Sequence, residues 1–111
     1  MWRDEAYALD MLIAARKTRI YLGVTDIASL NADAILQDAI VRQLGVLGEA
    51  AARISDDFRV AHTEVPWRDI IGMRNRLVHD YWSIDVAEVW RTVTNDLPAL
   101  IAVLEDLAPA E

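Results

Sequence analysis

Glycine and proline are scarce in this chain, and their placement leaves long stretches of sequence without a helix breaker. The 111 residues contain four glycines and three prolines. They stand at Gly23, Gly45, Gly48, Gly72, Pro66, Pro98 and Pro109. Between them, apolar residues recur at intervals of three, four or seven, and almost nothing alternates as a strand does. The pattern predicts an all-α protein.

The N-terminal half predicts two long helices. The first spans residues 2–22 and ends at Gly23, a residue that readily adopts the left-handed conformation of a helix stop. Its apolar stripe is Trp2, Ala6, Leu9, Ile13 and Ile20. The second spans about residues 32–54 with Asn31 as its N-cap. Its stripe is Leu36, Ile40, Leu44, Leu47, Ala51 and Ile54. Residues 55–65 are polar and aperiodic, which predicts a loop.

The C-terminal half predicts two more helices. A third helix begins at Pro66, which suits a first helical turn, and runs to about residue 79 or 81. Asp85 and Glu88 have the spacing of a capping box and start a fourth helix, which Pro98 should kink or split near Leu97. Its stripe is Val86, Val89, Val93, Leu97, Leu100, Leu104 and Leu107. Short connections favour an antiparallel four-helix bundle, one domain over residues 1–111.

The two glycines inside the second helix each cost about 1 kcal/mol relative to alanine. We therefore expect a neighbouring helix to approach closely at both Gly45 and Gly48. Close to them stands Glu49, a lone carboxylate in a stretch of small residues. It could form a salt bridge with Arg74 or Arg76, or face water.

Composition excludes several classes of protein. The chain has no cysteine, which removes disulfides, thiolate zinc sites and thiol nucleophiles. Two histidines are too few for a histidine-rich metal site unless carboxylates or a second chain complete it. No metal and no cofactor are expected. The net charge of −7 argues against non-specific coating of nucleic acid. No apolar run is long enough to cross a membrane and no signal peptide is evident, so we expect a cytoplasmic protein.

Residues 66–82 differ in charge from the rest of the chain. Three arginines outnumber two aspartates here, next to His79. Arginine can hold a phosphate through two parallel hydrogen bonds, and histidine has a pKa suited to proton transfer near neutrality. The segment therefore fits phosphoryl chemistry.

Helical geometry leaves two arrangements open for these residues. Tyr81 falls about 20° from Arg74 around a helix, whereas His79 falls about 140° away. Either the helix opens near His79, or Arg74, His79 and Tyr81 of two chains line a shared cleft on a two-fold axis. The dimer is favoured because metal-free RNA cleavage works best with both a general base and a general acid, and each chain offers one such histidine.

Structural roles compete with these functional ones. Arg76 and Asp80 could form an i,i+4 pair on the helix surface. His79 could be an ordinary hydrogen-bonded histidine, and Tyr81 could pack at the helix end. The last turns of the first helix carry a second basic cluster, Arg16, Lys17 and Arg19, at an end where the helix dipole favours cations.

Two blocks of sequence resemble a known family. The segment PWRDIIGMRNRLVHDYW, residues 66–82, places Arg74, four residues, His79, one residue and then Tyr81. The block GEAAARIS, residues 48–55, is similar to a second recurrent block of the same family. The chain is identified by these blocks as a member of the HepT-like branch of the HEPN superfamily.

The resemblance implies an α-helical, homodimeric, metal-independent ribonuclease that acts as the toxin of a prokaryotic toxin–antitoxin pair, with transfer RNA a plausible target. It implies a minimal nucleotidyltransferase antitoxin as partner, which silences the toxin by AMP transfer to Tyr81. Arg74 and His79 would be the catalytic pair. The supporting candidates are Asn75, Arg76, Asp80 and Glu49.

Two other functions are kept as alternatives. The first is a non-catalytic helical dimer that serves as the binding subunit of a nucleotidyltransferase. The second is a small bundle that binds a nucleotide at Arg74 and Arg76 without cleaving it.

Overall fold

The computed structural model describes residues 2–79 and 84–109, apart from the side chains of Trp2, Val78 and His79, and every regular element in these ranges is helical. In chain order the elements are α1 (Trp2–Leu22), α2 (Ile27–Ala32), α3 (Ala34–Arg53), α4 (Asp56–Ala61), α5 (Trp67–His79), α6 (Val86–Arg91), a π-helical segment (Thr92–Asp96) and α7 (Leu97–Leu107). The prediction of an all-α protein is confirmed. None of the described helices is long and apolar enough to cross a membrane.

Four long helical stretches pack side by side in antiparallel fashion. The start of α1 meets the end of α3, where the Asp4 carboxylate accepts hydrogen bonds from the backbone N–H and the hydroxyl of Ser55 at 2.9 and 2.7 Å. On another side of α1, Arg16 pairs with Glu105 near the end of α7. α3 also packs against α5. The predicted antiparallel four-helix bundle is confirmed, with α2 and α4 as short additions.

Helix α1 begins and ends as predicted, but it buries a different face. Gly23 follows Leu22 with φ of 57°, the left-handed conformation expected of a helix stop. Ile20, which the predicted stripe placed inside, is 74% exposed. The residues buried instead are Asp4, Ala8, Met11, Leu12, Ala14, Ala15, Thr18 and Leu22. The predicted stripe was wrong because α1 lies between α3 and α7, so two neighbouring helices decide which of its residues are covered.

The start of the second long helix was also placed wrongly. Asn31 lies inside the short helix α2, and the N-cap of α3 is Asp33, whose carboxylate accepts a hydrogen bond from the N–H of Leu36 at 3.0 Å. The buried stripe of α3 is as predicted from Ile40 to Ile54, with Leu36 half-buried. Aspartate and asparagine are equally good N-caps, so the local sequence does not choose between Asn31 and Asp33. The end of α2 at Ala32 decides, because it leaves Asp33 as the residue that precedes α3.

Residues 55–65 contain a helix where a loop was predicted. Ser55 caps α4 by accepting a hydrogen bond from the N–H of Phe58, and Arg59 donates to the carbonyl oxygens of Ala51 and Ala52 at the end of α3. These tertiary contacts hold a six-residue helix that is too short to be stable by itself.

The last helical stretch is interrupted near Pro98, as predicted. Asp85 caps α6 through the N–H of Glu88, the expected start. α6 then widens into the π-helical segment Thr92–Asp96, and α7 begins at Leu97 with Pro98 in its first turn. Proline has no N–H to continue the regular ladder, which accounts for a change of helical geometry just before it.

Candidate functional site

Helix α5 carries most of the predicted site residues, and its apolar face fixes it on α3. Pro66 immediately precedes the helix, and the indole N–H of Trp67 donates to the carbonyl of His62 at 2.9 Å. Trp67, Ile70 and Met73 are buried at spacings of three, so this face of α5 points into the core. Arg74, one position after Met73, therefore lies at the edge of the contact with α3.

The backbones of α3 and α5 come closest at Gly48. A methyl group at this position would collide with Cβ of Arg74 and would lie 3.3 Å from the carbonyl oxygen of Ile70. The expected close approach is therefore confirmed at Gly48. It was wrong for Gly45, where a methyl group would have no atom of the described neighbouring elements within 4 Å.

Glu49 connects Arg74 to a second arginine. Its carboxylate forms a short ion pair with the guanidinium of Arg74 and accepts a hydrogen bond from Arg53 at 3.2 Å. Hydrogen bonds from Arg53 and then Arg74 hold the pKa of Glu49 below its ordinary value. The sequence left three roles open for Glu49: a pair with Arg74, a pair with Arg76, or exposure to water. The structure shows the pair with Arg74.

The cluster extends on both sides of Glu49. Tyr7 of α1 lies close to Arg53, whose pKa is raised by Glu49 first and by Tyr7 second. At the other end, Arg74 donates to the side-chain oxygen of Asn75 at 2.9 Å. We refer to Tyr7, Arg53, Glu49, Arg74 and Asn75 as the Arg74 cluster. It joins α1, α3 and α5 at one surface. The guanidinium of Arg74 lies between the carboxylate of Glu49 and the side-chain oxygen of Asn75.

Arg76 does not join this cluster. Its guanidinium donates to Glu88 of α6 through Nε at 3.1 Å and through Nη2 at 2.5 Å. Two residues along a helix turn the side-chain direction by about 200°, so Arg76 projects away from Arg74. The structure thus brings Glu49 and Asn75 to Arg74, and links Arg76 to the start of the last helical stretch instead.

His79 is the last residue of α5, and the helix remains regular from Trp67 to this position. Arg74 and His79 are therefore separated by about 7.5 Å along the helix axis and about 140° around it, as the sequence geometry predicted. The side chain of His79 and the whole of Asp80 and Tyr81 lie outside the described residues. The proposed shared cleft and the modification site consequently stay predictions.

An open groove of about 630 Å³ runs along the surface between α1 and α3 and reaches Arg74. Its lining residues are Tyr7, Asp10, Ile13, Ala14, Lys17, Arg42, Gln43, Gly45, Val46, Glu49, Ala50, Arg53 and Arg74. Sequence reasoning did not identify this groove. The usable signal was the antiparallel pairing of α1 with α3, which places cations from separate parts of the sequence along one surface.

The three cations of the basic cluster at the end of α1 each have a different neighbour. Arg16 pairs with Glu105 at 3.0 Å, and Arg19 donates to the carbonyl of Val93 at 3.2 Å. Lys17 instead lines the groove. The described side chains include no group of three or more His, Cys, Asp or Glu arranged to hold a metal ion.

Most of the chain matches the model of a known protein family. The family model described as "Ribonuclease HepT-like" matches residues 11–107, a range that includes α3, α5 and all members of the Arg74 cluster except Tyr7. No solved structure matches the chain significantly.

Several curated proteins are similar to this chain. "Probable ribonuclease HepT" of Thermococcus cleftensis is 42% identical over 71 residues, 64% of each chain. "Putative RNase TTE0752" of Caldanaerobacter subterraneus subsp. tengcongensis is 34% identical over 71% of this chain and 70% of its own length. "Putative RNase MJ1380" of Methanocaldococcus jannaschii is 31% identical over 86% of this chain and 88% of its own. The chain spans slightly less than two thirds of the Thermococcus protein.

The helical architecture, the segment around Arg74 and the extent of the family match agree with one another. The chain belongs to the HepT-like ribonuclease family of the HEPN superfamily.

Proposed function

We propose that this protein is a metal-independent endoribonuclease, the toxin of a toxin–antitoxin pair, which cleaves RNA at a cleft shared by two copies of the chain. The observation that carries the proposal is the placement of Arg74. Within a chain that matches a ribonuclease family, its guanidinium is held at the surface by Glu49 and Asn75, on the helix that ends with His79.

Arg74 binds the scissile phosphate in this proposal. Its side chain is about one-third exposed, so it is anchored on one side and accessible on the other. A donor that is already oriented stabilises the charge that develops on the phosphate oxygens without first reorganising, an effect typically worth about 3 kcal/mol of barrier. Glu49 and Asn75 act as positioning residues, because each fixes the guanidinium without reaching the substrate.

His79 transfers protons. As general base it removes the proton from the ribose 2′-hydroxyl, whose oxygen then forms a bond to the adjacent phosphorus while the bond from phosphorus to the 5′-oxygen breaks. The leaving 5′-oxygen takes a proton from His79 of the second copy or from water. The products are a 2′,3′-cyclic phosphate and a free 5′-hydroxyl.

A homodimer supplies the second histidine. Because the regular helix α5 separates Arg74 and His79 by about 140° around its axis, one chain does not aim both side chains in one direction. Two copies related by a two-fold axis bring two arginines and two histidines to one cleft.

Tyr81 is the proposed regulatory site. A minimal nucleotidyltransferase partner would join the Tyr81 phenolic oxygen to the α-phosphorus of ATP, releasing pyrophosphate. The attached AMP would put a bulky anion where the RNA phosphate must bind. Transfer RNA is the proposed substrate and the cytoplasm the proposed location.

The decisive experiment measures cleavage of total RNA, then purified transfer RNA, in the presence of a chelator. His79→Ala should abolish cleavage, and His62→Ala is the matched control because it removes the chain's other histidine while leaving the His62 carbonyl that Trp67 uses. Equal activity of wild type and His79→Ala would refute the catalytic assignment.

Separate measurements test the dimer and the modification. Sedimentation should show a dimer at micromolar concentration, and a stable monomer would contradict the shared cleft. Co-expression with the partner enzyme should add the mass of one adenylyl group to the wild type and none to Tyr81→Phe. Modification of Tyr81→Phe at another residue would contradict the proposed switch.

One observation favours the second candidate, a non-catalytic binding subunit. The ion pair with Glu49 already neutralises Arg74, which is also what a purely structural arginine would show. This candidate predicts a dimer that co-purifies with a nucleotidyltransferase yet cleaves no RNA, even when Tyr81 is unmodified.

A further inference from the structure

We propose that the groove between α1 and α3 guides single-stranded RNA to Arg74, with Lys17 and Arg42 holding backbone phosphates at the end of the groove away from Arg74. This inference deepens the proposed ribonuclease function and rests on it. It concerns the path of the substrate strand, and it uses residues outside the segment that carries the catalytic pair.

Charge is distributed unevenly between the groove and the rest of the molecule. The groove contains four of the chain's eleven Lys and Arg side chains but only two of its eighteen carboxylates. On a protein with a net charge of −7, this makes the groove a local cationic surface. A polyanionic strand is repelled by most of the molecule and attracted here, which directs it toward the end that carries Arg74.

The helix register places Lys17 and Arg42 opposite each other. Asp4 in α1 is hydrogen-bonded to Ser55, which follows α3, so these two residues mark the same level of the antiparallel pair. Lys17 lies thirteen residues after Asp4, and Arg42 lies thirteen residues before Ser55. Neither side chain forms an ion pair or hydrogen bond with any residue in 2–79 or 84–109, and both are exposed. Two facing cations repel each other, and an anion between them removes that repulsion.

The two cations lie within reach of the Arg74 cluster. Arg42 precedes Glu49 by seven residues in the same helix, which corresponds to about 10 Å along the axis. This is a distance that the next phosphates of one strand can cover. Phosphate contacts at Lys17 and Arg42 would therefore fix the direction of a strand whose scissile phosphate lies at Arg74.

The floor of the groove leaves room for bases. In the part of the chain that the structure describes, no atom of another element lies within 4 Å of the position that a Cβ on Gly45 would take. Ile13, Ala14 and Val46 give the groove an apolar lining. Tyr7 adds an aromatic ring near Glu49 and Arg53. Cations that follow the backbone and apolar or aromatic groups that contact bases are the usual combination in sites for single-stranded nucleic acid.

The test uses a fluorescent single-stranded RNA with 2′-O-methyl groups, which has no free 2′-hydroxyl and so is not cleaved. Binding is followed by anisotropy over a range of salt concentrations. The double variant Lys17→Gln/Arg42→Gln should bind about tenfold more weakly, and the slope of log K against log salt should fall by about 1.4, since each single-strand phosphate contact contributes about 0.7. Arg68→Gln/Arg91→Gln is the matched control, because it removes two exposed cations outside the groove and gives the same net charge.

A second variant tests the space rather than the charge. Gly45→Leu should weaken binding without changing the salt slope, because it fills the groove and removes no cation. Circular dichroism checks that each variant is folded, so that a loss of binding reports on the groove.

Three results would overturn the inference. The groove double variant could bind as tightly as the control double variant, Gly45→Leu could bind as tightly as wild type, or the groove substitutions could dissociate the dimer, which would make this surface an interface between copies. Failure here is distinct from failure of the proposed function. If His79→Ala abolishes cleavage while the groove substitutions change nothing, the ribonuclease stands and the strand path does not.

Discussion

Arg74 of α5 packs directly against the backbone of Gly48 in α3, at a point where any side chain on residue 48 would collide with Cβ of Arg74. The contact places the next residue, Glu49, in an ion pair with the same arginine. Gly48 and Glu49 of α3 therefore contact the same residue of α5, Arg74. The absence of a side chain at position 48 allows the contact, and the carboxylate at position 49 orients it.

This contact predicts opposite effects for two glycines of the same helix. Gly45→Ala should stabilise the protein by about 1 kcal/mol, because alanine favours the helix and the new methyl group would lie more than 4 Å from every described neighbouring element. Gly48→Ala should destabilise it by about 1 to 3 kcal/mol in spite of the same helix preference, because α5 must move. Urea unfolding followed by circular dichroism measures both, and equal stabilities of the two variants would contradict the predicted difference.

Glu49→Gln should lower catalysis more than binding, provided the ribonuclease proposal holds. Loss of the carboxylate removes the anchor of Arg74 but leaves its charge free to attract phosphate. We therefore expect kcat to fall about tenfold or more, while KM does not rise. Glu88→Gln is the matched control, since it removes the ion-pair partner of Arg76 instead. Equal kcat values for the two variants would remove Glu49 from its positioning role.

The same carboxylate predicts a dependence on pH. Hydrogen bonds from Arg53 and Arg74 lower the pKa of Glu49, so the anchor is present at neutral pH and is lost only as the pH falls through that lowered pKa. The variant Glu49→Gln should lack this acid limb in its kcat profile.

Asp4 should contribute to the acid stability of the fold. Asp4 as a residue is 4% exposed, and its carboxylate accepts two hydrogen bonds from Ser55, which lower its pKa. A group whose pKa is lowered by folding contributes stability above its unfolded pKa and loses that contribution as the pH falls through the folded value. Asp4→Ala should cost about 2 kcal/mol at pH 7.

Acid titration of Asp4→Ala distinguishes this role from ordinary packing. The stability difference between wild type and Asp4→Ala should begin to shrink below about pH 5, where the unfolded chain starts to protonate this carboxyl. It should be lost once the pH falls through the lowered pKa of Asp4 in the folded protein. Asp38→Asn, a change at an exposed carboxylate of α3, serves as the control. A difference that stays constant with pH would show that the charge of Asp4 is not what stabilises the contact.

The N-cap of α3 can be tested by two substitutions. Asp33→Ala should destabilise the protein by about 1 kcal/mol, because its carboxylate accepts the hydrogen bond from Leu36. Asn31→Ala should have little effect, because Gln37 donates to the backbone carbonyl of Asn31, which alanine retains. Thermal unfolding compares them. A larger loss in Asn31→Ala would restore the cap that the sequence suggested.

Local patterns were sufficient for much of the fold. The stop at Gly23, the cap at Asp85 and the change of helix near Pro98 all follow from chemistry within a few residues, and the structure confirms each of them. The buried stripe of α3 was equally clear, since its apolar residues fall on one side. In the candidate site, the close approach at Gly48 and the pairing of Glu49 with Arg74 were each among the arrangements that the sequence allowed.

The sequence by itself therefore determined the end of α1, the start of α6 and the interruption near Pro98, and that Arg74 lies in a segment with an excess of arginine. Only the tertiary structure decided which face of α1 is buried, why Gly48 and not Gly45 meets α5, and that Lys17 and Arg42 line one groove. The physical reason is range. Caps and stops depend on neighbours within one helical turn, whereas burial, contact and shared surfaces depend on the register between helices that are distant in the chain.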